Sequence, residues 1–351
     1  MFHYLKLYVV LCTAIFSLAA ATLQAKPYAP MDADAVIQIN PRQILKIPAV
    51  NDAVQQAKET SGDPASPMLF QFDELEKIQQ ITIAVSGMNN SDAQSRKFFA
   101  VMSGAADGLD QTLLEMIQQK GRMTTEKTEI SGAPAYKIQS PVDASTSVYV
   151  VLPGDGEVVV CSDPAHYDQY KSGAENKLAS GAMAEAINLH AGAAVSVAMS
   201  LPEGYAKRFA EDPNMAPLAK AQLANVAVLT GDECSVRFSL TSGDAADAVA
   251  LHKAMQSAYQ LMLMMMPPTV QEQQPGLAQA LRNVAFSANG NYAEAKLVVP
   301  ADVLQMIMEK AMQAGAMNMQ GAGVKVEIGV GTTPENQGQN PSPPPRMNDQ
   351  N

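Results

Sequence analysis

An α+β fold made of two similar halves, each an antiparallel sheet with helices packed on one face, is what this sequence predicts. Three observations carry it: strands of clean period-two alternation, glycine-rich hairpin turns between them, and helical apolar stripes in the same order twice. The first half opens with a short strand, Ala35–Asn40, that runs into Pro41, and a helical stretch follows. Ile81, Ile83 and Val85 then alternate with Thr82, Ala84 and Ser86, which predicts a strand apolar on one face and polar on the other. A hairpin from Ile81 to Met102 leads through Ser103-Gly104 to a helix over Leu109–Gln119, striped by Leu109, Leu113, Met116 and Ile117. Val148–Leu152 and Glu157–Cys161 flank Gly154-Asp155-Gly156 as a second strand pair, and a helix over Ala165–Lys171 is capped by Ser162 or Asp163 with Pro164 in its first turn.

The second half repeats the series. Ala193–Leu201 runs into Pro202, and Val226–Leu229 and Ser235–Leu240 form a hairpin about Gly231-Asp232-Glu233, with Val236, Phe238 and Leu240 facing inward. Asp244 caps a helix whose face is Ala248, Leu251, Met255, Ala258 and Met262, and Pro267-Pro268 ends it. Asn289-Gly290 turns a hairpin between Val284–Ala288 and Tyr292–Val299. Pro300 opens a last helix over Ala301–Met319, lined by Val303, Leu304, Ile307, Met308 and Met312. The shared order predicts an internal duplication, with a first repeat over 26–172, a connecting segment over 173–192 and a second repeat over 193–330.

The ends of the chain differ from this body. Lys6 precedes the apolar run Leu7–Ala21, which fits a secretory core of about 7–15 residues and falls short of the roughly 20 needed to span a bilayer. Residues 1–25 are therefore expected to be a signal peptide cleaved after Leu23-Gln24-Ala25, placing the protein in the periplasm or outside the cell. At the other end, 331–351 is rich in Pro, Gln, Asn and Gly without apolar periodicity, the composition of a disordered tail.

Composition narrows the partners. A formal net charge of −11, with no basic run, argues against a phosphate-backbone partner or an anionic-lipid patch, so neither nucleic acid nor membrane insertion after signal cleavage is expected. Tryptophan is absent, which removes the usual platform for carbohydrate stacking. Of the three cysteines, Cys12 leaves with the signal peptide, and Cys161 and Cys234 remain as a pair that can form one disulfide in an oxidising compartment.

The search for chemistry returns no GxSxG, Walker, HExxH or CxxC motif, so no catalytic, metal or cofactor-binding residue is assigned and no cofactor is implied. His166, His190 and His252 stand alone, with Asp163 and Asp168 flanking the first; Glu294 and Lys296 read as a solvent-facing strand pattern. The twenty-one methionines, several between Met262 and Met266, are soft ligands that suit Cu(I), and are also ordinary gap-fillers of a core. Strand faces carrying Thr82, Ser86, Ser235, Ser239, Thr241 and Ser287 read as exposed or available for contact.

In its strand–proline–helix order, its Ser131-Gly132-Ala133-Pro134-Ala135-Tyr136 turn and its Asn/Gln-rich tail, the chain resembles uncharacterised exported two-repeat proteins of Gram-negative bacteria over residues 30–320. That resemblance is architectural and implies no activity. The leading expectation is a non-enzymatic binding or interaction protein whose partner, perforce unnamed by the sequence, belongs to the cell envelope. An extracytoplasmic hydrolase with dispersed catalytic groups and a methionine-rich soft-metal carrier are the alternatives. The export expectation has a direct check: N-terminal sequencing of the protein from a bacterial periplasm should give a chain starting near Lys26, whereas a membrane-bound product retaining residues 1–25 would make it an anchored protein.

Overall fold

The fold is described from a computed structural model for residues 27–60, 78–88, 95–104, 124–139, 147–154, 156–173, 176–211, 215–231, 233–267, 274–301, 303–304 and 306. The chain divides into two compact units, of which the first, Met1–Met308, holds all of these residues. Its strands form one antiparallel sheet, where the sequence predicts a sheet for each half. The order is β11-β12-β10-β9-β8-β1-β2-β3-β7-β6-β5-β4. These strands are β1 (Ala33–Ile39), β2 (Gln80–Ser86), β3 (Lys97–Ser103), β4 (Thr124–Ile130), β5 (Ala133–Gln139), β6 (Ser147–Gly154), β7 (Glu157–Cys161), β8 (Val195–Ser200), β9 (Leu223–Leu229), β10 (Cys234–Thr241), β11 (Ala285–Asn289) and β12 (Tyr292–Val299).

The join between the halves is β1 against β8, in register from Ala35–Met199 to Ile39–Val195. Val36 and Ala198 face one another there, and neither has any exposed surface. Small against branched side chains let the two strands seat a helix layer above them without a gap. A further hairpin, β4–β5, extends the first half beyond the expected series. Its turn is Ser131-Gly132, where Ser131 takes φ 48 and Gly132 φ 78, the doubly left-handed pair of a type I′ turn.

Helices cover the two faces differently. On one face lie α3 (Pro164–Ser172) and α4 (Ala182–Asn188), packed through Tyr167, Met183, Ala186 and Ile187 on Val36, Phe99, Val101, Val159 and Ala198. Asp163 is the N-cap of α3, its carboxylate accepting from the Ala165 amide at 3.0 Å, and Pro164 takes the first helical position. Glycine at 173 adopts φ 66 and ends the helix. The expected connecting segment therefore contributes a buried helix to the core.

On the opposite face, α6 (Ala245–Met264) packs Leu251, Ala254 and Met255 against Leu240 and Ala293. Asp244 caps it through the Asp247 amide at 2.8 Å, as the sequence predicts. The expected stripe is right for Ala248, Leu251 and Met255 but wrong for Met262, which is 44% exposed because the helix outruns the sheet it packs on. The remaining α-helices among the described residues are α1 (Pro41–Ile44), α2 (Pro48–Thr60), α5 (Glu203–Ala210) and α7 (Pro275–Arg282). The helix expected over 109–119 and the tail lie outside the described residues, as does most of the helix expected over 301–319.

Faces are the second correction. Thr82, Ser86, Ser235, Ser239 and Thr241 are buried, and only Ser287 of that group is exposed. The buried members share the face that the α3–α4 layer and its flanks cover, beside the apolar side chains of that core. The core under α6 gives a clear test. Leu251→Ala removes a fully buried side chain and should cost about 2–5 kcal/mol in urea denaturation. Met264→Ala, at an 82% exposed position, should stay within about 0.5 kcal/mol.

Candidate functional site

The densest buried polar group lies on the α3–α4 face of the second half. Cross-strand register places Asn225, Ser239 and Glu294 side by side on β9, β10 and β12, with Arg237 two residues from Ser239 on the same face. Ser196 on β8 reaches into the group, accepting from the Asn225 amide at 3.2 Å. His190 enters from the turn between α4 and β8. Its position is fixed locally, because α4 ends at Asn188 and the Ala193 amide bonds back to the His190 carbonyl at 3.1 Å.

The geometry about His190 is specific. Nε2 lies 3.2 Å from Glu294 Oε2 and 3.4 Å from Ser239 Oγ, while the other Glu294 oxygen lies 3.3 Å from Arg237 Nη1. His190, Ser239 and Glu294 are each less than a tenth exposed. Burial lowers the His190 pKa, an effect opposed by the Glu294 charge and reinforced by Arg237. Glu294 is thus shared between a fixed cation and a histidine held toward its neutral form. A buried carboxylate needs such partners, since its desolvation cost is otherwise uncompensated.

Serine, histidine and glutamate together invite comparison with a nucleophilic relay. In that machinery the acid holds one ring nitrogen and the serine meets the other. Here both partners meet Nε2, and Ser239 has no exposed surface for a substrate. The arrangement can hold a proton and fix the sheet to α4, but it cannot present an activated hydroxyl. Arg237 Nε and Asn225 Oδ1 are buried without a protein partner, a donor and an acceptor on neighbouring strands. Groups of this kind are commonly joined by an ordered water.

A second polar group lies over β3 in the first half. Lys97 Nζ pairs with Asp163 at 2.8 Å, which raises the lysine pKa and lowers that of the aspartate, chiefly through this hydrogen bond. His166 Nε2 is 3.4 Å from Asp32, and its ring stands edge-on to Phe99. Tyr28, Phe99 and Tyr170 complete an aromatic cluster, with the Tyr170 hydroxyl donating to Glu157 at 2.5 Å. Asp168, the other acid flanking His166 in sequence, accepts instead from the Ser131 hydroxyl at the β4–β5 turn. His252 stands apart, with its ring near Phe286.

The disulfide that the sequence leaves open is not formed. Cys161 and Cys234 are both free, on β7 and β10 with five strands between them, roughly 29 Å apart at the usual inter-strand spacing. Burial pushes the Cys161 thiol up to about 12, so it is an inert core side chain. Among the described residues, no three His, Cys, Asp or Glu side chains converge as a metal site, and no helix is long and apolar enough to cross a membrane. Sequence reading missed the Glu294 network because its members come from β8, β9, β10, β12 and the turn after α4. A usable signal was the polar row Asn225–Ser239–Glu294, visible once the hairpins are placed in register.

No family model matches the chain, and no curated protein matches it. Among solved structures it is similar to crystal form III of TP0453, at 10% identity and a TM-score of 0.44, covering 82% of this chain and 99% of that one.

The His190 network predicts a pH dependence. The folded pKa is lowered, so below the ordinary histidine range the unfolded chain binds the proton more readily and stability falls with pH. Urea midpoints measured from about pH 7.5 down to about pH 5 should decline less steeply in His190→Gln than in the wild type. Identical slopes would show that His190 titrates as freely in the folded protein as in the unfolded one.

Proposed function

We propose that the chain is an exported protein of the cell envelope that binds a partner through its sheet and performs no catalysis. The observation that supports this most is an uncovered apolar row on the α6 face. Val226 and Phe238, directly opposed on β9 and β10, are 37% and 38% exposed although they sit in the middle of their strands. Val197 continues the row on β8 and Ala295 on β12, both half-buried. Further along the sheet, Ile83 and Ala100 of the same face are buried, and beyond the row Leu240 and Ala293 lie under α6.

An interior-quality strand face left open carries a free-energy cost in water that partner burial relieves. On these strands the α6-face neighbours Val228, Val236 and Leu297 are also apolar, so no charge interrupts the row. That chemistry suits an uncharged partner surface and gives no purchase to a nucleic-acid backbone. The His190 group, sealed and wrongly arranged for nucleophilic attack, is read as a brace for the sheet that carries the row.

The same proposal takes the chain as a fused duplication, with repeats over 26–172 and 193–330. Counting outward from the β1–β8 join, the first half runs β1-β2-β3-β7-β6 and the second β8-β9-β10-β12-β11, with β4–β5 as an addition. Both series also lead from their opening strand through a proline into helix, at Pro41 and at Pro202. Equal order at equal places is what copying leaves behind when residue identity has gone.

Placement of a photo-crosslinking amino acid at position 238 in intact cells tests the binding role. A discrete adduct of defined mass, missing when the same group stands at the exposed edge position 127, is the expected result. Equal, diffuse labelling at both positions would remove the row as a binding surface.

A further inference from the structure

Among the described residues, the two edge strands of the sheet are built in opposite ways. Strand β4 carries Glu126, Lys127 and Glu129, the charged edge by which sheets prevent pairing with another chain. Strand β11, Ala-Phe-Ser-Ala-Asn, carries no charge and no proline, and Ala285, Ser287, Ala288 and Asn289 are exposed. We propose that β11 is a homodimer edge, pairing antiparallel with β11 of a second copy about a two-fold axis through Ser287.

Register makes the edge self-complementary. The β11–β12 turn is the two-residue loop Gly290-Asn291, closed by the Asn289–Tyr292 pair, with positive φ at Gly290 alone as in a type II′ turn. In such a hairpin the closing pair is hydrogen-bonded, and bonded pairs recur at alternate residues. Asn289, Ser287 and Ala285 therefore bond inward to β12, and Phe286 and Ala288 turn their amides and carbonyls to the open edge. Two copies centred on Ser287 set Phe286 opposite Ala288 of the second copy. Each pair joins outward-facing backbone groups, and the large side chain meets the small one on the same face.

Two further features favour a second copy. The chain carries a net charge of −11, so like chains repel everywhere except at an uncharged patch, and β11 is an edge of that kind. A five-residue strand alone falls short of the roughly 800 Å² per partner of a stable interface. Helix α6 passes over Phe286 between His252 and Tyr259, and the Tyr259 hydroxyl bonds the Leu281 carbonyl at 2.5 Å just before β11. Leu261, Met262, Met264 and Met265 follow Tyr259 within two turns and are 44–82% exposed. They supply apolar area beside the edge, which a second copy buries.

Ser287 stands on the dyad as a non-hydrogen-bonded pair, with Cα atoms about 4.5 Å apart, inside the range a disulfide spans. In a Cys234→Ser background, Ser287→Cys should oxidise to a covalent dimer, and Thr128→Cys on the β4 edge should form no disulfide-linked dimer. By light scattering the wild type should be a dimer. Ser287→Lys, which sets two cations together at an exposed position, should be a monomer whose far-ultraviolet circular dichroism matches the wild type. A wild type that is monomeric up to its highest soluble concentration, or a Ser287→Lys protein that stays dimeric, would overturn the proposal.

Discussion

The antiparallel contact of β1 with β8 is the interaction on which the rest of the structure depends. It joins strands 156 or more residues apart in sequence, with the last residue of β1, Ile39, facing the first of β8, Val195. Without it, each half would expose a full row of backbone donors and acceptors at its central edge, a state open sheets avoid. With it, the strands share one ladder and the two helices α3 and α4 find a continuous surface. Ala198 and Val36 have no exposed area because that surface closes over the join itself. The N-terminal stretch is tied to the same place, since Lys177 donates to the Ala33 carbonyl at 2.5 Å and Asn176 bonds both Pro27 and Ala29.

From this join follows the unequal treatment of the two faces. One face is sealed by helices, so its polar side chains must find partners inside, and Glu294 meets both His190 and Arg237 at the second half's end of the layer. The other face is apolar along its length, but α6 covers only the β10–β12 end and leaves Val226 and Phe238 in water. A buried polar row and an open apolar row thus lie back to back across the same strands. The first fixes the sheet's shape; the second is the surface on which the proposed binding role rests.

Local features were legible in the sequence because their causes are local. Period-two alternation located β2 and β10, glycine located the turn at Gly231 and the one at Gly290 that leads into β12, and Asp163 and Asp244 cap the helices they precede. Partner choice between strands was not legible. Nothing in Ala35–Ile39 or Val195–Met199 marks one as the other's neighbour, since both are short apolar runs that would pair with many. The same limit hid the site. Glu294 and Lys296 share a strand face, yet Glu294 is buried under His190, which arrives from a turn roughly a hundred residues earlier. Phe238 erred the other way: alternation assigns it to the apolar face, and coverage by another element decides whether that face is wet.

Native-state hydrogen exchange on β1 and β8 tests the central claim, that the β1–β8 join makes one cooperative sheet of both halves. The account predicts that amides of these two strands are among the slowest, and that their opening free energy equals the global unfolding free energy from urea. Strands β9, β10 and β12 opening together at a lower free energy, with β1 to β3 still protected, would contradict it and leave two separately stable halves in contact.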